Sequence, residues 1–167
     1  MSGDLSQWMA DLSAESAEVR ATAAEQLSKL GEDARAAAVP LCRAAGDSEE
    51  SVREWSVAAL EELGPPSAED LPALIELLSA ESSDTVWWSV TLIGRLEQDG
   101  AAAARVLGDV LGSAATAQVR QKAAWALGQI GPAAAVAIPA LEQAAAATDD
   151  PRLSRNASRA LQAVRGE

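Results

Sequence analysis

The chain has 167 residues, a length that fits one domain, and its 25 acidic against 13 basic side chains leave a net charge of −12. That charge disfavours nucleic acid and anionic lipid as partners, because both are held by positive potential. Nearly half of the residues are hydrophobic, yet Phe, Tyr and His are all absent, so the side chain most used as a general base and metal ligand is missing.

Residues 4–16 (D-L-S-Q-W-M-A-D-L-S-A-E-S) align without a gap on residues 70–82 (D-L-P-A-L-I-E-L-L-S-A-E-S). The chain therefore opens on the first helix of a repeat. A second helix follows over 19–31, V-R-A-T-A-A-E-Q-L-S-K-L-G. The same pattern returns over 52–65 (V-R-E-W-S-V-A-A-L-E-E-L-G-P) and 119–132 (V-R-Q-K-A-A-W-A-L-G-Q-I-G-P), with looser copies from Thr85 and Leu153. Apolar residues at offsets 0, 4 or 5, 8 and 11 occupy one face of a helix. The anchors Val19, Val52, Thr85, Val119 and Leu153 stand 33, 33, 34 and 34 residues apart. Between them lie the partner segments Val39-Pro40-Leu41, Leu71-Pro72-Ala73-Leu74 and Ile138-Pro139-Ala140-Leu141, with Arg105-Val106-Leu107 in the fourth copy. This predicts five helix pairs in one domain over 1–167, at roughly 1–31, 32–64, 65–99, 100–131 and 132–167, stacked so that neighbours bury one continuous core.

Ser16, Ser82, Thr116 and Asp150 stand three residues before their anchors, where N-caps belong, and Pro151 follows as an N1 proline. Gly31, Gly64 and Gly131 fall where a left-handed residue ends a helix. Polar stripes on the first helix (Asp4, Gln7, Asp11) and the last (Arg152, Arg155, Asn156, Arg159) suggest capped ends. Apolar runs are short and broken by charge, so no membrane span is expected. Met1-Ser2-Gly3-Asp4-Leu5 does not resemble a secretory leader. A lone cysteine, Cys42, suits a reducing compartment, and the expected location is cytoplasmic.

The pattern V-R-x-x-A-A-x-A-L-G-x-I-G-P followed by A-I-P-A-L resembles HEAT repeats of the phycobilisome-lyase-like subclass over essentially the whole chain. The resemblance implies an all-α fold, a right-handed α-α superhelix. It also implies that the Pro-containing helices face outward and the V-R helices line the concave side. Relatives that hydroxylate deoxyhypusine bind iron through His-Glu motifs, and a chain without histidine cannot do so. HEAT-like DNA glycosylases carry a basic concave face, which the charge here opposes.

Chemistry-bearing residues are few. Arg20, Arg53 and Arg120 follow their anchors and are expected to form an inter-repeat ladder, interrupted by Val86 and Ser154. Cys42 aligns with Leu74, Leu107 and Leu141 and is expected to be a small core residue. No metal-ligand spacing occurs, and no cofactor is expected. Trp8 aligns with Leu74 and belongs to the core, whereas Trp55, Trp87, Trp88 and Trp125 fall on the helix face opposite the anchors. They are expected to line a concave groove as anchors for a protein or peptide. Flanking charges are polarised, with Glu54 and Glu62 near the N-terminal end and Lys122, Arg155 and Arg159 near the C-terminal end. The expected function is a non-catalytic protein- or peptide-binding module with no nucleic-acid or membrane partner. The alternatives are a carrier or lyase-type subunit for a flat ligand such as a tetrapyrrole, and a self-associating scaffold. Sideways packing of the tryptophans into seams between repeats is the competing structural expectation.

Overall fold

A computed structural model describes residues 2–114 and 116–167; Met1 and Ala115 lie outside the described residues. Among the described residues the chain forms an all-α superhelix of five helix pairs, with no strand. The first helices of the pairs are α1 (Ser2–Asp11), α3 (Ala38–Ala44), α5 (Leu71–Leu77), α7 (Ala104–Ser113) and α9 (Ile138–Ala145). The second helices are α2 (Ala17–Ser28), α4 (Glu50–Glu62), α6 (Ser83–Arg95), α8 (Ala117–Ile130) and α10 (Pro151–Arg165).

The second helices begin where the sequence places their caps. Ser16, Ser82, Thr116 and Asp150 accept from the amides of Val19, Thr85, Val119 and Leu153, satisfying an otherwise orphaned donor in each first turn. Glu49 precedes α4 without a side-chain cap; there Asp47 Oδ1 accepts from Glu49 N at 2.9 Å. At the other ends Gly31, Gly64 and Gly131 adopt φ of 54°, 73° and 68°. The equivalent turn after α6 has no glycine, and Glu97 takes φ 51° instead. The first-helix segments are less regular than the repeat pattern predicts. Gly31–Ala37, Glu97–Ala103 and Gly131–Ala137 are wound as 3-10 turns before the α-helix starts.

Alanine-rich Ala117–Ala145 is apolar and long enough, by composition, to cross a membrane, which the expectation of broken apolar runs overlooked. In this fold it is α8, a 3-10 turn and α9, divided at Gly131.

Second helices pack on one another closely at α2–α4, α6–α8 and α8–α10, while the first helices touch less, so the array curves with the second helices inside. Small residues permit the approach: a Cβ on Gly128 would sit 3.3 Å from Ala160 Cα. The stack is irregular at the middle, where α6 makes its close contacts with α3 and α5 in place of α4. Leu27, Leu41, Leu60, Leu74, Leu107, Leu127 and Leu141 are fully buried along the continuous core. Val19 departs from its anchor role and is 40% exposed, whereas Val52, Val119 and Leu153 are buried.

Candidate functional site: an aromatic and cationic groove

In the middle of the stack α6 is deeply packed, its residues from Thr85 to Gly94 all buried except Trp87. Three tryptophans converge there. Trp125 reaches back from α8 and lies across Gly94, where a Cβ would come 2.5 Å from its ring carbon Cζ3. Trp87 and Trp88 meet edge to face at 4.9 Å between centroids. The sequence-predicted groove tryptophans therefore divide into three kinds. Trp55 is 40% exposed on α4, and Trp87 and Trp125 are half-buried.

Trp88 corrects the expectation of four groove anchors: it is only 6% exposed and belongs to the core. Arg95, seven residues on along the same face, holds its guanidinium carbon 5.9 Å from the Trp88 ring. The Nη1 of Arg95 then donates to the carbonyls of Leu60 (2.8 Å) and Gly64 (3.2 Å) at the end of α4. Arg95 thus bridges α6 to the end of α4 while lying against the buried Trp88 ring. Offsets on a single helix could not show this, because they assume every repeat stacks alike.

Lys122 on α8 rises between the remaining two rings. Its Nζ is 4.3 Å from the Trp87 centroid and 4.6 Å from the Trp125 centroid, within the range for cation–π attraction to both. Burial pushes the amine below the usual lysine range, and the positive charge of Arg95 adds to the effect. The cation sits in an open cleft of ≈ 360 Å³ rimmed by Gln118, Gln121, Arg152 and Asn156. A contiguous hollow of ≈ 230 Å³ continues past Trp125 to Gln129 and Arg159. Arg155 is exposed on α10 but lines neither hollow. Glu54 and Glu62 are exposed on α4, beside Trp55. Lys122 was expected among the charges of the C-terminal end; its seat between two indoles was not foreseen, since only the fold brings α6 and α8 into register.

The arginine ladder is partly present. Arg20 makes a two-pronged bond to Asp47, Nε to Oδ2 at 2.7 Å and Nη2 to Oδ1 at 2.9 Å. Its Nη1 donates to the carbonyls of Ala14 and Glu15. Arg53 binds only the carbonyls of Asp47 and Ser48, both at 2.8 Å. Cys42 is fully buried, and burial pushes its thiol up to about 12. Among the described residues no group of three or more Cys, Asp or Glu is placed to hold a metal ion.

Several solved structures share this architecture. A designed armadillo repeat protein in complex with peptide (KR)4 is 22% identical, covering 97% of this chain and 82% of its own, with a TM-score of 0.67. The complex of CpcE and CpcF of phycocyanin lyase from Nostoc sp. PCC7120 is 24% identical, covering 98% of this chain and 65% of that one, with a TM-score of 0.66. An engineered protein is 19% identical, covering 98% and 80%, with a TM-score of 0.66. No curated protein sequence matches this chain. The sequence model for HEAT repeats matches three overlapping spans, residues 5–91, 38–128 and 71–162, and together with the stacked helix pairs this makes the chain a member of the HEAT-repeat family.

Proposed function

We propose that the protein is a non-catalytic binding module that docks an extended or helical protein segment along the concave groove, with Trp55, Trp87 and Trp125 as its aromatic contacts. The observation that carries this is the Lys122 amine, held between the faces of Trp87 and Trp125 inside an open cleft with Arg152 on its rim. Cation and indole together form a surface that is amphipathic and fixed in shape, suited to a partner side chain that is apolar along its stem and acidic at its tip.

The indole faces already carry a cation, so an incoming carboxylate is favoured there. Residues 1–84 carry 18 acidic and 5 basic side chains, and residues 85–167 carry 7 acidic and 8 basic. A solenoid keeps sequence order in space, so the partner's cationic end would lie over α2 and α4 and its anionic end over α8 and α10. The designed armadillo relative is bound to a peptide, and the CpcE–CpcF relative is a complex of two proteins. Both support a solenoid of this shape as a docking surface. The overall acidity and the absence of histidine support a protein partner over nucleic acid and a non-catalytic role, and a cytoplasmic setting is part of the same proposal.

The test is association kinetics with a partner captured on the wild-type protein. Arg152→Glu with Arg159→Glu, and separately Glu54→Lys with Glu62→Lys, should each slow association at low salt, the effect fading as salt rises. Arg155→Glu, off the groove lining, should change the rate far less. Unchanged association in both pairs would reduce the polarity to a solvated surface.

A further inference from the structure

The seams between repeats open on the first-helix side as slots, and two of these are equivalent. The slot between repeats 1 and 2 is lined by Met9, Leu12, Val39, Arg43 and Asp47, with a volume of ≈ 300 Å³. Here Asp47 supplies a carboxylate to Arg20, 27 residues earlier. The same spacing counted from Arg120 reaches Ala147. Gly108 and Gly112 stand where the first slot has Met9 and Ser13, and the slot between repeats 4 and 5 widens to ≈ 510 Å³. Arg120 and Ala147 both line it. Arg120 Nε, the atom whose counterpart in Arg20 meets Asp47, is buried with no hydrogen-bond partner. The guanidinium as a whole is half-buried and its charge reaches Asp150, but the buried Nε–H donor is left without a hydrogen-bond partner, which is costly.

From this we infer that the slot between repeats 4 and 5 is a binding site for a carboxylate supplied from outside the chain, seated on Arg120 Nε in the position that Asp47 takes on Arg20. Nearby acids do not fill the place. Asp150 caps α10 by accepting from Leu153 N at 2.9 Å and is also bonded by Gln121 Nε2 at 3.1 Å. Asp109 stands exposed among the lining residues, where its charge opposes a polyanion more than a single carboxylate. The alanine and glycine walls, with Leu111 and Leu153 behind them, suit an apolar stem. A short aliphatic acid and an acidic side chain of a docked protein share this chemistry. The site shares no lining residue with the tryptophan groove and does not depend on that groove's role.

The experiment follows the Arg120 Nε–Hε resonance of 15N-labelled protein during titration with butyrate and, in parallel, with the blocked peptide acetyl-Ala-Glu-Ala-amide. A saturable shift is expected with at least one probe, and the tighter of the two identifies the source. Ala147→Asp should place a carboxylate on Arg120 from within. Its unliganded resonance should match that of the saturated wild type, its response to both probes should weaken by at least about tenfold, and its melting temperature should rise. The absence of a saturable shift in the wild type, or an undiminished response in Ala147→Asp, would overturn the site.

Discussion

Asp47 joins two repeats through one side chain. Its bond with Arg20, both partners being mostly withdrawn from solvent at 13% and 14% exposure, holds its carboxyl below the usual carboxylate range. A depressed folded-state pKa contributes stability that is present above the unfolded value and lost as pH falls through the folded one. Asp47→Asn should therefore lower the melting temperature near neutral pH, and the gap from wild type should close as the solution is acidified below the ordinary aspartate range. Cys42 makes the opposite kind of statement: a thiol raised to about 12 by burial stays protonated. A thiol-specific reagent at pH 8 should label it only as the protein unfolds, and rapid labelling of the native state would contradict its placement. Trp88 and Trp55 share an offset from their anchors but not a role. Trp88→Ala should cost about 3–5 kcal/mol of stability by opening the core seam, while Trp55→Ala should stay within about 0.5 kcal/mol. Denaturant titrations of the two variants decide the matter. The shared offset was legible in the sequence. The difference was not, because it depends on what the fold packs around each ring: Trp88 lies against Trp87 and Arg95, whereas Trp55 is left 40% exposed.

At the scale of helices, the caps were readable because each is a local bargain between a side chain and an orphaned amide within four residues. Ser16, Ser82, Thr116 and Asp150 needed no knowledge of the rest of the fold. The missing glycine after α6 was readable too, though not its consequence: the chain keeps the left-handed turn and makes Glu97 adopt it. A side chain at this φ is strained, so Glu97→Gly should stabilise the protein by about 1 kcal/mol. Thermal unfolding of the pair checks this; a loss would mean that the Glu97 side chain holds the turn by contacts stronger than its strain. Gly94 is the converse. Gly94→Ala pushes a methyl into the Trp125 ring and should displace it, altering indole fluorescence and weakening groove binding. The 3-10 winding ahead of α3, α7 and α9 escaped the repeat pattern, since apolar spacing reports which face is buried and not how tightly the backbone is wound.

For the whole molecule, the repeat period specified five stacked pairs and the order of charges along them, because a solenoid places sequence neighbours side by side. The groove's composition required three dimensions: Lys122 becomes an aromatic-caged cation only when α8 lies against α6 with Gly94 beneath Trp125. The central claim is that a protein partner occupies this concave face. The direct measurement is hydrogen exchange of this protein with and without a partner captured on the wild type and lost on Trp125→Ala with Arg159→Glu. The account predicts protection concentrated on α4, α6, α8 and α10, with slower exchange at the N-terminal turns of α8 and α10 beside Lys122 and Arg152. Protection confined to the outer helices α3, α5, α7 and α9, with the inner helices unchanged, would contradict it.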